Sequence, residues 1–245
     1  MNLIGYGHFG KCIVNGFDNQ IKVLKKGEKP QSEVVFITVR PQDMDCVLSL
    51  LEDYEGLIIT FAAGLPLSYY EAVLPNKRVI RAMSNIGVYF GCGVTGWIMG
   101  RNCTAQDYLI AENSFSRLGT SIRLYEESHL DTITALTGSG IAYISEICHI
   151  FQQCGIEQGM TEGMAEMIVL ETLKSVIAVH EKSNLTLEEI VKSVSSRGGT
   201  TEAGLQTMKD GGVSEAIKKG LENTILKCQN LCNRYSERLE SEELE

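Results

Sequence analysis

No apolar run in this 245-residue chain approaches the roughly 18 residues that a membrane span requires. Nor does the chain open on a charged stretch followed by an apolar one, as a secretory leader would; the strand-like "NLIGYG" begins almost at once. The expectation is a cytoplasmic protein that enters no membrane. Positive charge is scarce as well. With 22 Lys and Arg against 31 Asp and Glu, the net charge of −9 offers no basic face for nucleic acid. A locally basic pocket for a small anion is compatible with that total. The four histidines show no metal-ligand clustering, so no metal site is expected. Pro/Gly/Ser-rich linkers, internal repeats and low-complexity tracts are lacking too.

The hydrophobic content of 44% is enough to bury a sizeable core, and the length suits two domains. Eight cysteines in a chain of this size, without a leader, read as reduced thiols. Cys228 and Cys232 share a face of a predicted helix with Ile217, Leu221, Ile225 and Tyr235. Core packing is the reading there, because structural zinc takes four ligands and no histidine is near.

Short apolar runs bounded by polar or turn residues mark strands at "NLIGY", "IKVL", "EVVFITV", "LIITFA" and "RVIRAM". "KCIVNGF", "DMDCVLSLLEDY" and "PLSYYEAVL" read as helices. "GVTGWIM" and "TSIRLY" add strands around the helix "TAQDYLIAENSFSRLG". Strands alternating with helices predict an α/β fold, a doubly wound parallel sheet covered on both faces. After "SHLDTITALTGSG" the strand pattern stops. "AYISEICHIFQQCG" carries Ile144, Ile147, Cys148 and Phe151 on one stripe. "EGMAEMIVLETLKSVIAVHE" is apolar around more of its circumference, through Met164, Met167, Ile168, Leu170, Leu173, Val176 and Ile177. Such a helix belongs in a large core or in a subunit interface. "TLEEIVKSV" opens with a capping box, Thr186 to Glu189. "VSEAIKKGLENTILKCQNLCNRY" is a long final helix, and the acidic "SERLESEELE" is expected to fray. The change of periodicity near Glu127 divides the chain into an α/β domain, residues 1–127, and an all-α domain, residues 128–245. The over-apolar helix points to a homodimer packed across its helices.

The chemistry starts in the first turn. Gly5, Gly7 and Gly10 form G-x-G-x-x-G directly after the first strand. Gly5 suits a tight turn, Gly7 lets backbone approach a pyrophosphate, and Gly10 allows close helix–strand packing. A helix starting near His8 would aim its N-terminal amides at that phosphate. His8 itself reads as a loop residue set by its backbone rather than as a catalyst. Where an NAD enzyme usually carries an acid for the ribose 2′-hydroxyl, "IKVL" runs into Lys25 and Lys26. These suit the extra phosphate of NADP(H), with NAD(H) and two merely solvated lysines as the open alternatives.

A second constellation is "SSRGGTTEAGL", residues 195–205. Gly198 and Gly199 would fold the backbone so that the amides of Gly199, Thr200 and Thr201 converge at the start of a helix closing on Gly211 and Gly212. That is an anion site suited to a small carboxylate, with the hydroxyls of Ser196, Thr200 and Thr201 as further donors. An ordinary capped helix start is the equal alternative.

Taken together, "TALTGSGIAY" (134–143) and "SSRGGTTEAGL", with "IGYGHFG", "VRPQ", "AAG" and "IRAMSN" in the same order, resemble the pyrroline-5-carboxylate reductase family. The resemblance implies an N-terminal Rossmann domain and a helical domain that dimerises, with the active site between the cofactor domain and the helical interface. It leaves open larger rings of dimers. It implies that Gly5, Tyr6, Gly7, His8, Phe9 and Gly10 cradle a pyrophosphate. Val39, Arg40 and Pro41, with Ala63 and Gly64, would line the nicotinamide side. Ser196, Arg197, Gly198, Gly199, Thr200 and Thr201 match the stretch that holds the carboxylate of a small cyclic imino acid. Thr201 matches the threonine beside the imine nitrogen, and "GSG" (138–140) would shape the pocket wall and permit close helix approach. Hydride transfer to an iminium carbon needs no metal or strong base, which fits the histidine-poor sequence.

Three prolines of the family pattern are replaced, by Ser84, Ile141 and Arg197, and "KKGEKPQSE" is short for the helix and strand usually found there. Arg197 either pairs with the substrate or points to solvent. The implied function is reduction of 1-pyrroline-5-carboxylate to proline. The alternatives are reduction of a different cyclic imino acid, or a non-catalytic descendant that binds nucleotide or a partner.

Overall fold

Val34 and Phe36 face one core layer while Val35 and Ile37 face the other, and all four are buried. Strands apolar on both faces must be covered on both. That pattern runs through the sheet of the computed structural model, which describes residues 1–242 and side chains through Asn233. The chain forms two compact units, Met1–Gly140 together with the chain from Glu222 onward, and Ile141–Leu221.

The first unit holds β1 (Asn2–Ile4), β2 (Lys22–Val23), β3 (Val34–Ile37), β4 (Leu57–Thr60), β5 (Arg78–Met83), β6 (Gly93–Met99) and β7 (Gly119–Arg123). They form one sheet in the order β2-β1-β3-β4-β5-β6-β7. Strands β1 to β5 are mutually parallel; β6 runs antiparallel to β5 and carries β7 parallel to itself. The sheet is therefore mostly rather than wholly parallel. On one face α1 (His8–Gly16) and α4 (Ala105–Leu118) pack over Leu3, Phe36, Ile59, Ile80 and Trp97. On the other, α2 (Asp45–Leu48) and α3 (Leu67–Val73) cover Ile4, Val35, Ile58 and Val79. The short α5 (His129–Ile133) lies against β6, where a Cβ on Gly96 would come within 2.7 Å of Ile133.

Two expectations need correction. The helix foreseen over "DMDCVLSLLEDY" is only Asp45–Leu48, preceded by a 3₁₀ turn at Pro41–Asp43. Beyond it, Leu50, Leu51 and Tyr54 bond three residues back, so the segment tightens into turns that bury Leu51 and Tyr54. The strand foreseen over "IKVL" shrinks to Lys22–Val23. The chain passes from β2 to β3 without a helix, which leaves β2 as a two-residue sheet edge.

The second unit contains most of α6 (Gly140–Glu157), then α7 (Glu162–Ser183), α8 (Leu187–Val194), α9 (Thr200–Asp210) and the start of α10 (Val213–Glu242). The capping box forms as expected, with Thr186 and Glu189 each accepting the other's backbone N–H. Gly211 and Gly212, the latter at φ +72°, end α9. The last three residues of the acidic end lie outside the described residues. Within this unit α7 buries only Ala165, and all seven of its apolar residues singled out above stay exposed. A core role for α7 is thus excluded in the single chain. Phe151, Met160, Ile168 and Val176 line an apolar groove of about 350 Å³ between α6 and α7. No helix of the described residues is long and apolar enough to cross a membrane.

Trp97 pins the antiparallel corner. It is fully buried, its ring centroid 5.6 Å from those of Phe115 and Tyr108, and its Nε1–H donates to Ser121 Oγ at 2.9 Å. Trp97→Ala should cost about 3–5 kcal/mol, and Trp97→Phe clearly less, measured by denaturant titration.

Candidate functional site

The carboxyl ends of β1, β3 and β4 are in register, Ile4 beside Ile37 and Ile37 beside Thr60. The loops that follow these strands therefore emerge side by side, where open α/β sheets bind their ligands. Gly5 turns at φ +100°, and a Cβ there would lie 2.8 Å from the Thr38 and Val39 backbone. Gly7 has nothing within 4 Å of that position, so its backbone stands open. A Cβ on Gly10 would sit 2.1 Å from the Gly5 carbonyl oxygen and 2.8 Å from Thr38 Oγ1. The three glycines thus do three different things. The first intrahelical bond of α1 runs from Lys11 to Gly7, so the N–H groups of His8, Phe9 and Gly10 precede it, with no acid in that turn. Phe9 turns its ring inward onto Phe61, at 5.2 Å between centroids, and serves the loop through backbone alone. Tyr6 and His8 are exposed.

Sequence reasoning missed Thr38. Its hydroxyl donates to the Gly5 carbonyl and so locks the glycine turn to the end of β3. No motif flags a lone threonine in a strand. Val39 follows it, half-buried on the second core layer, while Arg40 is exposed and paired with Asp43 at 3.1 Å. Pro41 opens the 3₁₀ turn. Gly64 lies in the neighbouring loop at φ +77°, where a Cβ would meet Leu231 of α10 at 2.6 Å; Ala63 is half-buried beside it. The structure therefore gathers residues 5–10, 39–41 and 63–64 at one edge of the sheet.

At the neighbouring edge Lys25 and Lys26 follow β2 in a turn closed by Glu28 N–H to Lys25 O at 3.0 Å, with Gly27 at φ +81°. Neither lysine forms an ion pair among the described residues. Glu28, also missed, accepts from the Lys25 N–H and from the Lys22 ammonium. The Lys22 hydrogen bond is the larger reason that its carboxyl lies below the usual range.

In the second unit, Gly199 N–H donates to Ser196 O at 2.9 Å with Gly198 at φ +72°. Arg197 is not left-handed, so Ser196–Gly199 is a type II turn with Arg197 at its second position. One expectation is corrected here. The Gly199 amide is consumed by the turn, and the amides without a bond among the described residues at the start of α9 are those of Thr200, Thr201 and Glu202. Glu202, another missed residue, closes the turn by accepting from Gly198 N–H at 2.6 Å. Thr201 is half-buried; Ser196, Arg197 and Thr200 are exposed, and Arg197 has no ion-pair partner among the described residues.

"GSG" sits at a π turn, Thr134–Gly138, with Ser139 N–H bonding five residues back to Thr134 O. A Cβ on Gly138 would lie 3.8 Å from Ser84 O and one on Gly140 3.5 Å from Ala135 O, both ordinary contacts. The close approach expected of these glycines is therefore not present within the chain. Ser84 bonds through its hydroxyl to Thr95 Oγ1 at 2.7 Å and Val94 O at 3.2 Å.

A buried charge lies close to the loop that holds Ala63 and Gly64. Arg81 is 3% exposed and pairs through Nη1 with Glu127 Oε1 at 2.6 Å. The same oxygen accepts from Leu67 N–H at 2.8 Å. Arg81 Nη2 donates to Cys232 Sγ at 3.8 Å, and its Nε is buried without a partner among the described residues. Burial pushes the nearby Asp131 carboxyl above its ordinary value, with Arg81 opposing and Glu127 adding to the shift. Burial likewise raises the Cys228 and Cys232 thiols, which makes them poor nucleophiles. Among the described residues no group of three His, Cys, Asp or Glu could hold a metal ion.

Residues 127–231 match the family model described as pyrroline-5-carboxylate reductase dimerisation. A pyrroline-5-carboxylate reductase of Methanosarcina acetivorans is 32% identical over 191 residues, spanning 76% of this chain and 70% of that protein. One from Aquifex aeolicus is 29% identical over 209 residues, 85% of this chain and 76% of that protein. Among solved structures, Plasmodium falciparum pyrroline carboxylate reductase with NADP bound gives a TM-score of 0.87 at 20% identity, covering 94% of this chain and 97% of that one. The 1-pyrroline-5-carboxylate reductase of Streptococcus pyogenes gives 0.86 at 21%, with the same coverage. These two likenesses establish the fold, a Rossmann-type sheet followed by a helical region.

Arg197 occupies the turn position that proline favours, and among the described residues no hydrogen bond engages its N–H. Arg197→Pro should therefore stabilise the fold by about 0.4–1 kcal/mol through the unfolded state, read from the denaturation midpoint. Asp131 gives a pH signature. A carboxyl whose folded value is raised loses stability as pH rises from its unfolded value, about 3.9, through the folded one. Asp131→Asn should be more stable than the parent at pH 7, and thermal melts should show that advantage vanishing toward about pH 4.

Proposed function

This chain belongs to the pyrroline-5-carboxylate reductase family, and on that premise we propose that it reduces 1-pyrroline-5-carboxylate to proline, the last step of proline biosynthesis. It is an NAD(P)H-dependent oxidoreductase acting on a C=N bond, and it carries the domain through which such chains self-associate. The observation that carries the proposal is the 32% identity to a pyrroline-5-carboxylate reductase over three quarters of the chain.

The cradle fits a dinucleotide. Gly7 leaves the backbone open, Gly10 tolerates no side chain, and the first amides of α1 face no acid of their own turn. Gly5 to Gly10 would hold the pyrophosphate, and Val39, Arg40, Pro41, Ala63 and Gly64 would border the nicotinamide. That group supplies the hydride which, with one proton at nitrogen, converts the imine to the secondary amine. The chain's own residues bind and orient. The free amides of Thr200 and Thr201, with Ser196 and the Gly198–Gly199 turn, would fix the substrate carboxylate. Thr201 holds its hydroxyl toward the imine nitrogen; a hydroxyl is too weak an acid to donate alone, so it positions the proton.

Lys25 and Lys26, without ion pairs among the described residues, favour NADP(H) over NAD(H). Residues 1–127 would bind the cofactor and residues 128–245 would dimerise and bind substrate, with α10 packing back onto the sheet unit. The exposed apolar faces of α6 and α7 favour a homodimer built through the helical domain, and eight free cysteines suit a reducing cytoplasm. Exposed Arg197, with no ion-pair partner among the described residues, supports one second reading, a cyclic imino acid bearing a further negative charge.

The test follows absorbance at 340 nm with pyrroline-5-carboxylate and either NADPH or NADH. Turnover is expected with both, faster with NADPH, and Lys25→Ala/Lys26→Ala should shrink the difference. Thr201→Ala should slow turnover by on the order of 10- to 100-fold. A folded dimer that turns over neither cofactor with this substrate would overturn the proposal; activity only on a more anionic imino acid would install the second reading.

A further inference from the structure

Arg81 and Glu127 are far apart in sequence and meet at 2.6 Å, the arginine buried and the glutamate 29% exposed. Ion pairs with a buried member are poor stabilisers, because desolvation offsets the attraction, and an apolar pair of the same volume often does as well or better. Here the cost is greater still, since Arg81 Nε is buried with no partner among the described residues. Stability does not explain why the pair is there, whereas its contacts do. Glu127 Oε1, while holding Arg81, also accepts the N–H of Leu67, the first residue of α3. Immediately before Leu67 runs the loop Ala62–Pro66, which contains Ala63 and Gly64. At Gly64 the loop is pressed against Leu231, and the adjacent Cys232 takes the other arm of the Arg81 guanidinium. The loop is therefore fixed at its end by Glu127 and in its middle by α10, and one guanidinium holds both supports.

We infer that the Arg81–Glu127 pair is a positioning device for the loop 62–66, which sets where the nicotinamide ring lies rather than how stable the fold is. The inference rests on the reading of that loop as the nicotinamide border. Arg81 and Glu127 are positioning residues and touch no reacting atom. A displacement of about 1 Å in such a support can cost on the order of 10²-fold in rate.

The decisive variant replaces both charges, Arg81→Met with Glu127→Met, in an Asp131→Asn parent, because Asp131 would otherwise lose the cation that faces it. Binding of NADPH is measured beside binding of 2′-phospho-ADP-ribose, the same ligand without nicotinamide. The variant should stay folded with a melting temperature near that of the parent and bind the fragment within about twofold. It should bind NADPH on the order of 10-fold more weakly, a loss of about 1.4 kcal/mol, and lose kcat beyond that. If the double variant does not fold, Glu127→Gln keeps the acceptor for Leu67 and removes the charge. It should show the same selective loss to a smaller degree. NADPH and fragment affinities that stay level, or that fall together, overturn the inference and leave the pair a structural tie. If the parent binds NADPH but does not reduce pyrroline-5-carboxylate, the proposed reaction fails while the affinity ratio still decides this point. If the parent binds neither ligand, both fail.

Discussion

Everything at the glycine-turn edge depends on how closely α1 can approach the ends of β1 and β3. The Gly5 carbonyl stands where a Gly10 side chain would be, and the Thr38 hydroxyl fills the remaining space while bonding to that carbonyl. This close packing of three backbones fixes the start of α1, and with it the direction in which His8, Phe9 and Gly10 present their amides. Packing the helix and orienting the donors are one structural act. It explains why the open position, Gly7, can lie between two positions that admit no side chain at all.

The two units meet opposite physical problems. In the sheet unit, strands apolar on both faces are covered by helices, and buried residues run in alternation through two layers. In the helical unit, α6 and α7 turn Ile144, Ile147, Phe151 and the stripe from Met164 to Ile177 outward. A surface so apolar is not a resting state for a chain alone in water. The charged face of α8 and the capping box at its start show that this unit does not lack polar design; its apolar faces belong to a stretch that matches a family model described as dimerisation.

Much of this was legible in the sequence because the signals are local. Apolar runs located the strands, the G-x-G-x-x-G spacing located the turn, and Thr186 with Glu189 located a helix start. The resemblance carried by "TALTGSGIAY" and "SSRGGTTEAGL" located the family. What could not be read was set by distance or by competition. Arg81 and Glu127 are joined only by folding, and nothing near either residue announces the other. "DMDCVLSLLEDY" has helical periodicity, yet burial of Leu51 and Tyr54 was better served by tight turns. The reversal between β5 and β6 leaves no trace in strand composition. Gly199 looked like an anion donor until the type II turn claimed its amide, and Glu202 entered as a carboxylate where an anion had been expected.

Helix α10 has a further consequence, for the order in which the molecule can be made. The sheet unit is not contiguous: it contains Met1–Gly140 and then the chain from Glu222 onward. A ribosome releases the strands and their flanking helices first, but the residues that cover Gly64 and meet Arg81 emerge only after the whole of Ile141–Leu221. At synthesis rates of about 5–20 residues per second, the nascent sheet waits several seconds for α10. Vectorial folding can thus assemble the glycine turn early, whereas the buried guanidinium stays solvated until α10 emerges. This edge of the sheet matures in two stages, and the second is timed by α10.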